Sequence, residues 1–172
     1  MTPFFIYCLP RSGSCWLSVF LTAFDSYCYH EPLADMTVQQ LKARLVQRPD
    51  YTAGAIDTGA YRTGKVAGLR GFVLKRSLKE VQESANRNGV RYDAAEEAGV
   101  LANVTAGMPE IDYHQLSDVW YLERIWSDLV GTPFDRERAG FFTELRIERD
   151  LGKFFAARPH LGRQYAEVTC RH

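Results

Sequence analysis

The chain has 172 residues, of which 46% are hydrophobic and 24% are charged. These values fit one ordinary globular domain and exclude disordered, collagen-like and coiled-coil chains. The 21 lysines and arginines balance the 21 aspartates and glutamates. We therefore expect neither nucleic acid nor an anionic membrane as a partner, and an anion site only where basic residues gather locally.

Residues 4–24 form an apolar stretch at a position where a signal peptide or a membrane anchor is often found. Polar residues 10–14 interrupt it, and the ten residues that follow are about half the length that a bilayer requires. We therefore expect no membrane segment here. The pattern predicts a buried strand at residues 4–9, a polar loop, and a buried helix from Ser14 that continues to residue 24.

Strands and helices are expected to alternate along the rest of the chain. Further strands are predicted at residues 27–30, 55–57, 71–75 and 110–113, and helices at residues 38–46, 77–89, 93–104, 117–130 and from Asp135 onward. Two of these helices begin with the pattern of a capping box, formed by Ser77 with Glu80 and by Asp93 with Glu96. The last helix is expected to carry Phe141, Leu145, Phe154 and Phe155.

This alternation is typical of an α/β fold with a mostly parallel central sheet of about four to five strands flanked by helices. We expect one domain over residues 1–172, with a helical C-terminal part from about residue 115.

Reduced thiols, and with them a cytoplasmic location, are favoured because the four cysteines form neither a dense framework nor a CxxC pair. Cys28 with His30 and Cys170 with His172 make C-x-H pairs. This is not a standard zinc spacing, so no metal is expected. Cys15 lies beside Arg11 at a predicted helix start, and we expect a lowered pKa for its thiol, or a plain packing role.

The turn after the first strand carries the clearest candidate for a binding site. In an open α/β sheet, ligands lie outside the carboxyl ends of the strands. Here Gly13 allows a tight turn, Ser12 and Ser14 supply hydroxyls, Arg11 supplies a charge, and the helix start supplies free amides. The turn therefore predicts a phosphate site, and the alternative is that Gly13 and Ser14 only turn the chain and cap a helix.

Residues 4–17, FFIYCLPRSGSCWL, resemble the 5'-phosphosulfate loop of the P-loop sulfotransferases, an apolar strand followed by P-[KR]-S-G-[ST]-x-W-L. The resemblance implies a three-layer P-loop NTPase-like fold and sulfuryl transfer from 3'-phosphoadenosine 5'-phosphosulfate to a hydroxyl or amine of a small acceptor, with adenosine 3',5'-bisphosphate as product. It also implies that the 5'-phosphate and the sulfuryl group are surrounded by Arg11, Ser12, Gly13, Ser14, Cys15 and Trp16, with Trp16 near the adenine. The kinase form GxxxxGK[ST] is absent, because no lysine follows Gly13.

A second element supports this resemblance, since the family binds the 3'-phosphate through an arginine at the end of a later strand and a serine eight residues on. Arg76 and Ser84 have that spacing, and residues 58–79 contain six basic residues and no acid. The alternative is a solvated charge and an exposed helix residue. A third similarity, IDYHQL at residues 111–116 followed by an amphipathic helix, is only a structural likeness.

The chain departs from the family in three ways. Cys15 replaces the usual threonine or serine, the chain is shorter than typical members, and no R-K-G-x-x-G segment is present beyond the poor substitute Gly162 and Arg163. Two other functions therefore stay open. One is an ATP-dependent phosphotransferase of the P-loop kinase type, and the other is a nucleotide-binding protein without catalysis.

The transfer requires a base for the acceptor proton and a cation beside the leaving phosphate, for which we predict Arg11. Glu31 is the first candidate base, because some bacterial relatives have a glutamate in a comparable place, and His30 is the second. The alternative is that Glu31 merely begins a loop with Pro32. Asp57 ends another predicted strand and is expected either to orient the acceptor or to cap its own turn. The acceptor and the oligomeric state are not indicated by the sequence.

Overall fold

The computed structural model describes residues 2–23, 25–47, 51–145, 155–160 and 162–163. Its strands are β1 (Phe4–Cys8), β2 (Ser26–His30), β3 (Thr52–Asp57), β4 (Arg70–Lys75) and β5 (Glu110–Asp112). Its helices are α1 (Ser14–Phe20), α2 (Val38–Leu45), α3 (Leu78–Arg87), α4 (Ala94–Thr105), α5 (Val119–Leu129) and α6 (Arg136–Glu144). Short 3-10 turns occupy Pro32–Ala34, Ala60–Arg62 and Tyr113–Ser117.

The five strands form one sheet in the order β2-β3-β1-β4-β5, and every pair is parallel. The predicted α/β fold with a parallel sheet flanked by helices is therefore confirmed. Strand β1 lies at the centre and pairs with β3 on one side and β4 on the other. The chain builds one half of the sheet before it crosses to the other, so the direction of winding changes at β1, which is where open α/β sheets bind ligands.

Both faces of the sheet are covered, and this explains why β1 is apolar at every position. Phe4 and Ile6 point into one core and Phe5 and Tyr7 into the other, because successive side chains of a strand alternate between faces. The first core is closed by α1, α5 and α6 through Leu17, Leu122 and Phe142. The second is closed by α2, α3 and α4 through Leu41, Val81 and Leu101.

Helix α1 is shorter than predicted, since it ends at Phe20 rather than at residue 24. The hydroxyl of Thr22 donates to the Ser18 carbonyl and accepts from the Cys28 amide, which draws the chain out of the helix and into β2. Phe24 lies outside the described residues.

Strand β3 is longer than predicted, because it is hydrogen-bonded on both sides, to β1 and to β2. Glycine is required at position 54, in the middle of this strand, because a Cβ there would lie 2.1 Å from the ring of Phe4.

Of the two predicted helix caps, one is present in the structure and the other is not. Asp93 accepts from the amides of Ala95 and Glu96, as a cap of α4 should. Ser77 makes no capping bond at the start of α3.

In α6, Phe142 is buried and Phe141 is largely exposed, while Phe154 lies outside the described residues. Among the helices that the structure describes, none has the length and apolar character needed to cross a bilayer.

Candidate functional site

The turn between β1 and α1 has a strained backbone. It leaves the central strand at its carboxyl end, and Arg11 and Gly13 both adopt positive φ, at 71° and 88°. A non-glycine residue in this region is uncommon and is often found at binding sites. The predicted succession of strand, loop and helix is present, with α1 beginning at Ser14.

Gly13 is required by its surroundings as well as by its backbone. A Cβ at this position would lie 2.6 and 2.8 Å from two atoms of the Tyr113 ring, which follows β5. The ring therefore packs directly on the loop, at a distance that only glycine allows.

A cavity of about 1080 Å³ lies over this loop at the carboxyl edge of the sheet. Nine of the predicted site residues line it, namely Arg11, Gly13, Ser14, Cys15, Trp16, His30, Glu31, Arg76 and Ser84. They come from the ends of β1, β2 and β4 and from α1 and α3. Two predicted residues, Ser12 and Asp57, do not line the cavity and are buried.

The predicted phosphate-binding elements are braced against each other by two arginines. Arg11 donates from Nε to Ser84 Oγ at 3.1 Å, so the loop reaches α3. Arg76 donates from Nη1 to the Arg11 carbonyl oxygen at 3.0 Å, so the end of β4 reaches back to the loop. These two bonds bring both guanidinium groups to the end of the cavity beside α3.

Arg76 is further held by neighbours in the turn after β5 and on α3. Its guanidinium lies 4.1 Å from the centre of the Tyr113 ring, within cation-π range. Glu80 Oε1 lies 3.7 Å from Arg76 Nη2, and Glu80 Oε2 lies 2.8 Å from Nε2 of His114. Glu80 thus faces Arg76 and His114 instead of closing the predicted capping box. The Nε of Arg76 is buried and has no hydrogen-bond partner among the described residues.

His30 lies directly on the loop at the other end of the cavity. Its Nε2 is 3.0 Å from Ser14 Oγ and 3.3 Å from Cys15 Sγ. Burial lowers the pKa of His30, and this outweighs the opposite effects of Glu31 and Asp57. The imidazole is therefore neutral at pH 7, and it can accept a proton.

Glu31 lies at the rim beside His30. Its Oε1 accepts from the Thr58 hydroxyl at 2.7 Å and is 4.0 Å from His30 Nε2. Its φ of 51° turns the chain sharply after β2, and 46% of its side chain is exposed. Glu31 thus begins the turn at Pro32–Ala34 and also lines the cavity.

Asp57 serves its own turn. One carboxylate oxygen accepts from the amides of Gly59 and Ala60 at 2.8 and 2.9 Å, and the other accepts from the Leu33 amide at 3.2 Å. These are the bonds of a residue that caps its own turn, which is the second of the two roles that the sequence predicts for Asp57. Asp57 thus fixes the chain behind Glu31 and does not line the cavity.

The expectation that Cys15 has a lowered pKa is wrong. Burial raises the pKa of this thiol and nearby Glu31 raises it too, and together they outweigh the lowering by Arg11. Cys8 and Cys28 are fully buried free thiols whose pKa burial also raises. Among the described residues, no three His, Cys, Asp or Glu side chains converge as a metal site would require. The pair Cys170 and His172 lies outside those residues.

Trp16 forms one wall of the cavity and is fixed by its packing. Its indole nitrogen donates to the Phe142 carbonyl oxygen at 3.2 Å, and its ring stacks on Phe20 with 5.3 Å between centres. The position of this aromatic wall thus depends on α6 as well as on α1.

Sequence reasoning missed several cavity residues. Tyr113 is the main one, because it contacts both Gly13 and Arg76. His114, Arg87 and Asn88 also line the cavity. The sequence held one indication that Tyr113 belongs to the site. Tyr113 directly follows β5, and the carboxyl end of β5 lies at the same edge of the sheet as that of β1. No protein-family model matches the chain, and no curated protein matches it significantly.

Proposed function

We propose that the protein is a sulfotransferase with a P-loop NTPase-like fold, which transfers a sulfuryl group from 3'-phosphoadenosine 5'-phosphosulfate to a small acceptor. The observation that carries this proposal is the convergence of two separate sequence elements, the loop with Arg11 and the pair Arg76 and Ser84, on one cavity. A cytoplasmic location, supported by the cysteine pattern of the sequence, belongs to the same proposal.

The cationic end of the cavity suits a ligand with two phosphate groups. Arg11, Arg76 and Arg87 line this end, and Glu80 is the acidic side chain that faces Arg76. The unpartnered Nε of Arg76 is a buried donor that a phosphate oxygen would satisfy. The described residues therefore fit the bisphosphate part of the donor.

The transfer itself forms one S–O bond and breaks another. The acceptor oxygen bonds to sulfur while the S–O bond to the 5'-phosphate breaks, and the electron pair of that bond leaves with the phosphate. Arg11 neutralises charge on the leaving group in the proposed mechanism. The acceptor proton needs a base within about 3 Å of the hydroxyl, directly or through one water.

His30 is the better placed of the two candidate bases. Its neutral imidazole lies over the loop, whereas the Glu31 carboxylate already accepts from Thr58 at the rim. The Ser14 hydroxyl and the Cys15 thiol both lie within hydrogen-bond distance of His30 Nε2. In the proposed complex both rotate toward donor oxygens, which leaves the lone pair of Nε2 for the acceptor proton. We therefore assign proton removal to His30 and place Glu31 beside the acceptor.

The phosphotransferase alternative requires a lysine after the loop glycine, and here Ser14 follows Gly13. Asp57, which ends β3, is not placed to hold the magnesium of such an enzyme, because its carboxylate accepts from backbone amides and does not line the cavity.

The test is calorimetric titration of the purified protein with adenosine 3',5'-bisphosphate and, separately, with ATP and magnesium. We expect the bisphosphate to bind at least about tenfold more tightly, because the cavity has cations for a second phosphate group. Tighter binding of ATP and magnesium would overturn the proposal in favour of a phosphotransferase. Bisphosphate binding without turnover of any acceptor would support the non-catalytic alternative.

A further inference from the structure

The cavity has opposite charges at its two ends. The end beside α3 and the turn after β4 carries Arg76 and Arg87, and Arg11 reaches it from the turn after β1 by donating to Ser84. The end formed by the turn after β2 carries the Glu31 carboxylate and the imidazole of His30. A donor with several negative charges belongs at the first end, so the acceptor approaches through the second.

The negative charge of Glu31 is not cancelled locally. Its contacts are the neutral hydroxyl of Thr58 and the imidazole of His30, and no lysine or arginine lies within ion-pair distance among the described residues. Because burial lowers the pKa of His30, the imidazole contributes no balancing charge at pH 7. Glu31 also raises the pKa of the Cys15 thiol, so its field reaches the floor of the cavity.

Resting on the proposed function, we propose that the acceptor is a small alcohol with an ammonium group two carbons from its hydroxyl, bound by Glu31 through the ammonium while His30 faces the hydroxyl. The distances suit this class. Glu31 Oε1 and His30 Nε2 are 4.0 Å apart, and in a 2-amino alcohol the oxygen and the nitrogen lie roughly 3 to 4 Å apart. One such molecule can therefore contact both groups at once.

The group transfer follows the scheme above. The hydroxyl oxygen forms the new S–O bond, its proton passes to His30 Nε2, and the ammonium group keeps its charge throughout. Glu31 then acts in acceptor recognition, which changes affinity for the acceptor rather than the chemical step.

The test uses two isosteric alcohols that differ in charge, choline and 3,3-dimethyl-1-butanol. Each is titrated calorimetrically into protein saturated with adenosine 3',5'-bisphosphate. We expect choline to bind about three to ten times more tightly, as a partly exposed ion pair allows. In Glu31→Gln the two affinities should become equal, whereas Glu137→Gln, a matched change on an exposed carboxylate outside the cavity lining, should keep the preference.

Three results would overturn the inference, and they distinguish its failure from that of the proposed function. If the bisphosphate binds but the neutral alcohol binds as well as choline, or if Glu31→Gln keeps the preference, the acceptor class is wrong and the proposed function stands. If the bisphosphate itself does not bind, the proposed function fails and this inference fails with it. Thermal unfolding of both variants, followed by circular dichroism, establishes that each is folded.

Discussion

Single substitutions distinguish His30 from Glu31 as the proposed base. His30→Asn removes the proton acceptor, so we expect turnover to fall about 100-fold or more with bisphosphate affinity nearly unchanged. Glu31→Gln should leave kcat within about tenfold and raise KM for a cationic acceptor. Release of adenosine 3',5'-bisphosphate from the donor measures both. His160→Asn is the matched control, since His160 is exposed and lies outside the cavity lining. The opposite ranking of the two variants would make Glu31 the base.

The protonation of His30 provides a second test that needs no substrate. Burial lowers its pKa, while the charge of Glu31 raises it. The imidazole should therefore titrate below pH 6.5, the usual value, and Glu31→Gln should lower the midpoint further, because the neutral amide no longer favours the imidazolium. Proton NMR of the ring signals across a pH series gives both midpoints. A midpoint above 6.5, or a rise in the variant, would contradict the assignment of a neutral base.

At the scale of elements, the sequence predicted those whose signal lies within a few residues. The apolar run of β1 and the Asp93 cap of α4 are local patterns, and both are present. The observed ends of α1 and β3 differ from the predicted ones, because hydrogen bonds to distant parts of the chain determine where these elements end. Thr22 ends α1 by bonding to the Cys28 amide, and β3 extends as far as its two neighbours pair with it. Glu80 likewise does not close the predicted capping box, because it contacts Arg76 and the distant His114 instead.

The packing of the loop on the turn after β5 predicts the effect of an alanine at Gly13. Any alanine at positive φ costs about 1 kcal/mol, and Gly13→Ala must also displace the Tyr113 ring, which adds about 1 to 3 kcal/mol. Gly107→Ala is the matched control, because Gly107 has φ 77° and open space around it. Urea unfolding should show Gly13→Ala to be the less stable of the two variants. Equal losses would mean that the ring gives way without cost.

At the scale of the whole molecule, the cavity joins parts of the chain that are far apart in sequence. The loop was predicted from its local sequence, and the pair Arg76 and Ser84 from the resemblance of their spacing to that of the sulfotransferase family. The sequence did not predict that Arg11 contacts Ser84, nor that Tyr113 lies between Gly13 and Arg76. Those contacts depend on the order of β4 and β5 beside β1, which no local pattern encodes.

Ligand binding should stabilise the whole domain, since the cavity is built from elements throughout it. A ligand at 100 times its Kd adds about 2.7 kcal/mol to the stability of the folded state, which for a domain of this size raises Tm by about 5 to 10 °C. We expect adenosine 3',5'-bisphosphate to raise Tm more than adenosine 5'-monophosphate at equal concentration, because Arg76 contacts the 3'-phosphate in the proposed complex.

Arg76→Ala should reduce the bisphosphate effect to about that of the monophosphate, while Arg91→Ala, a control at an exposed arginine outside the cavity lining, should keep the difference. Differential scanning fluorimetry gives the Tm of the unchanged protein and of both variants with each nucleotide. Arg76 also braces the loop through the Arg11 carbonyl, so some loss of the monophosphate effect is expected as well. Equal losses for both nucleotides would show that Arg76 acts through the shape of the loop and not through a separate 3'-phosphate site.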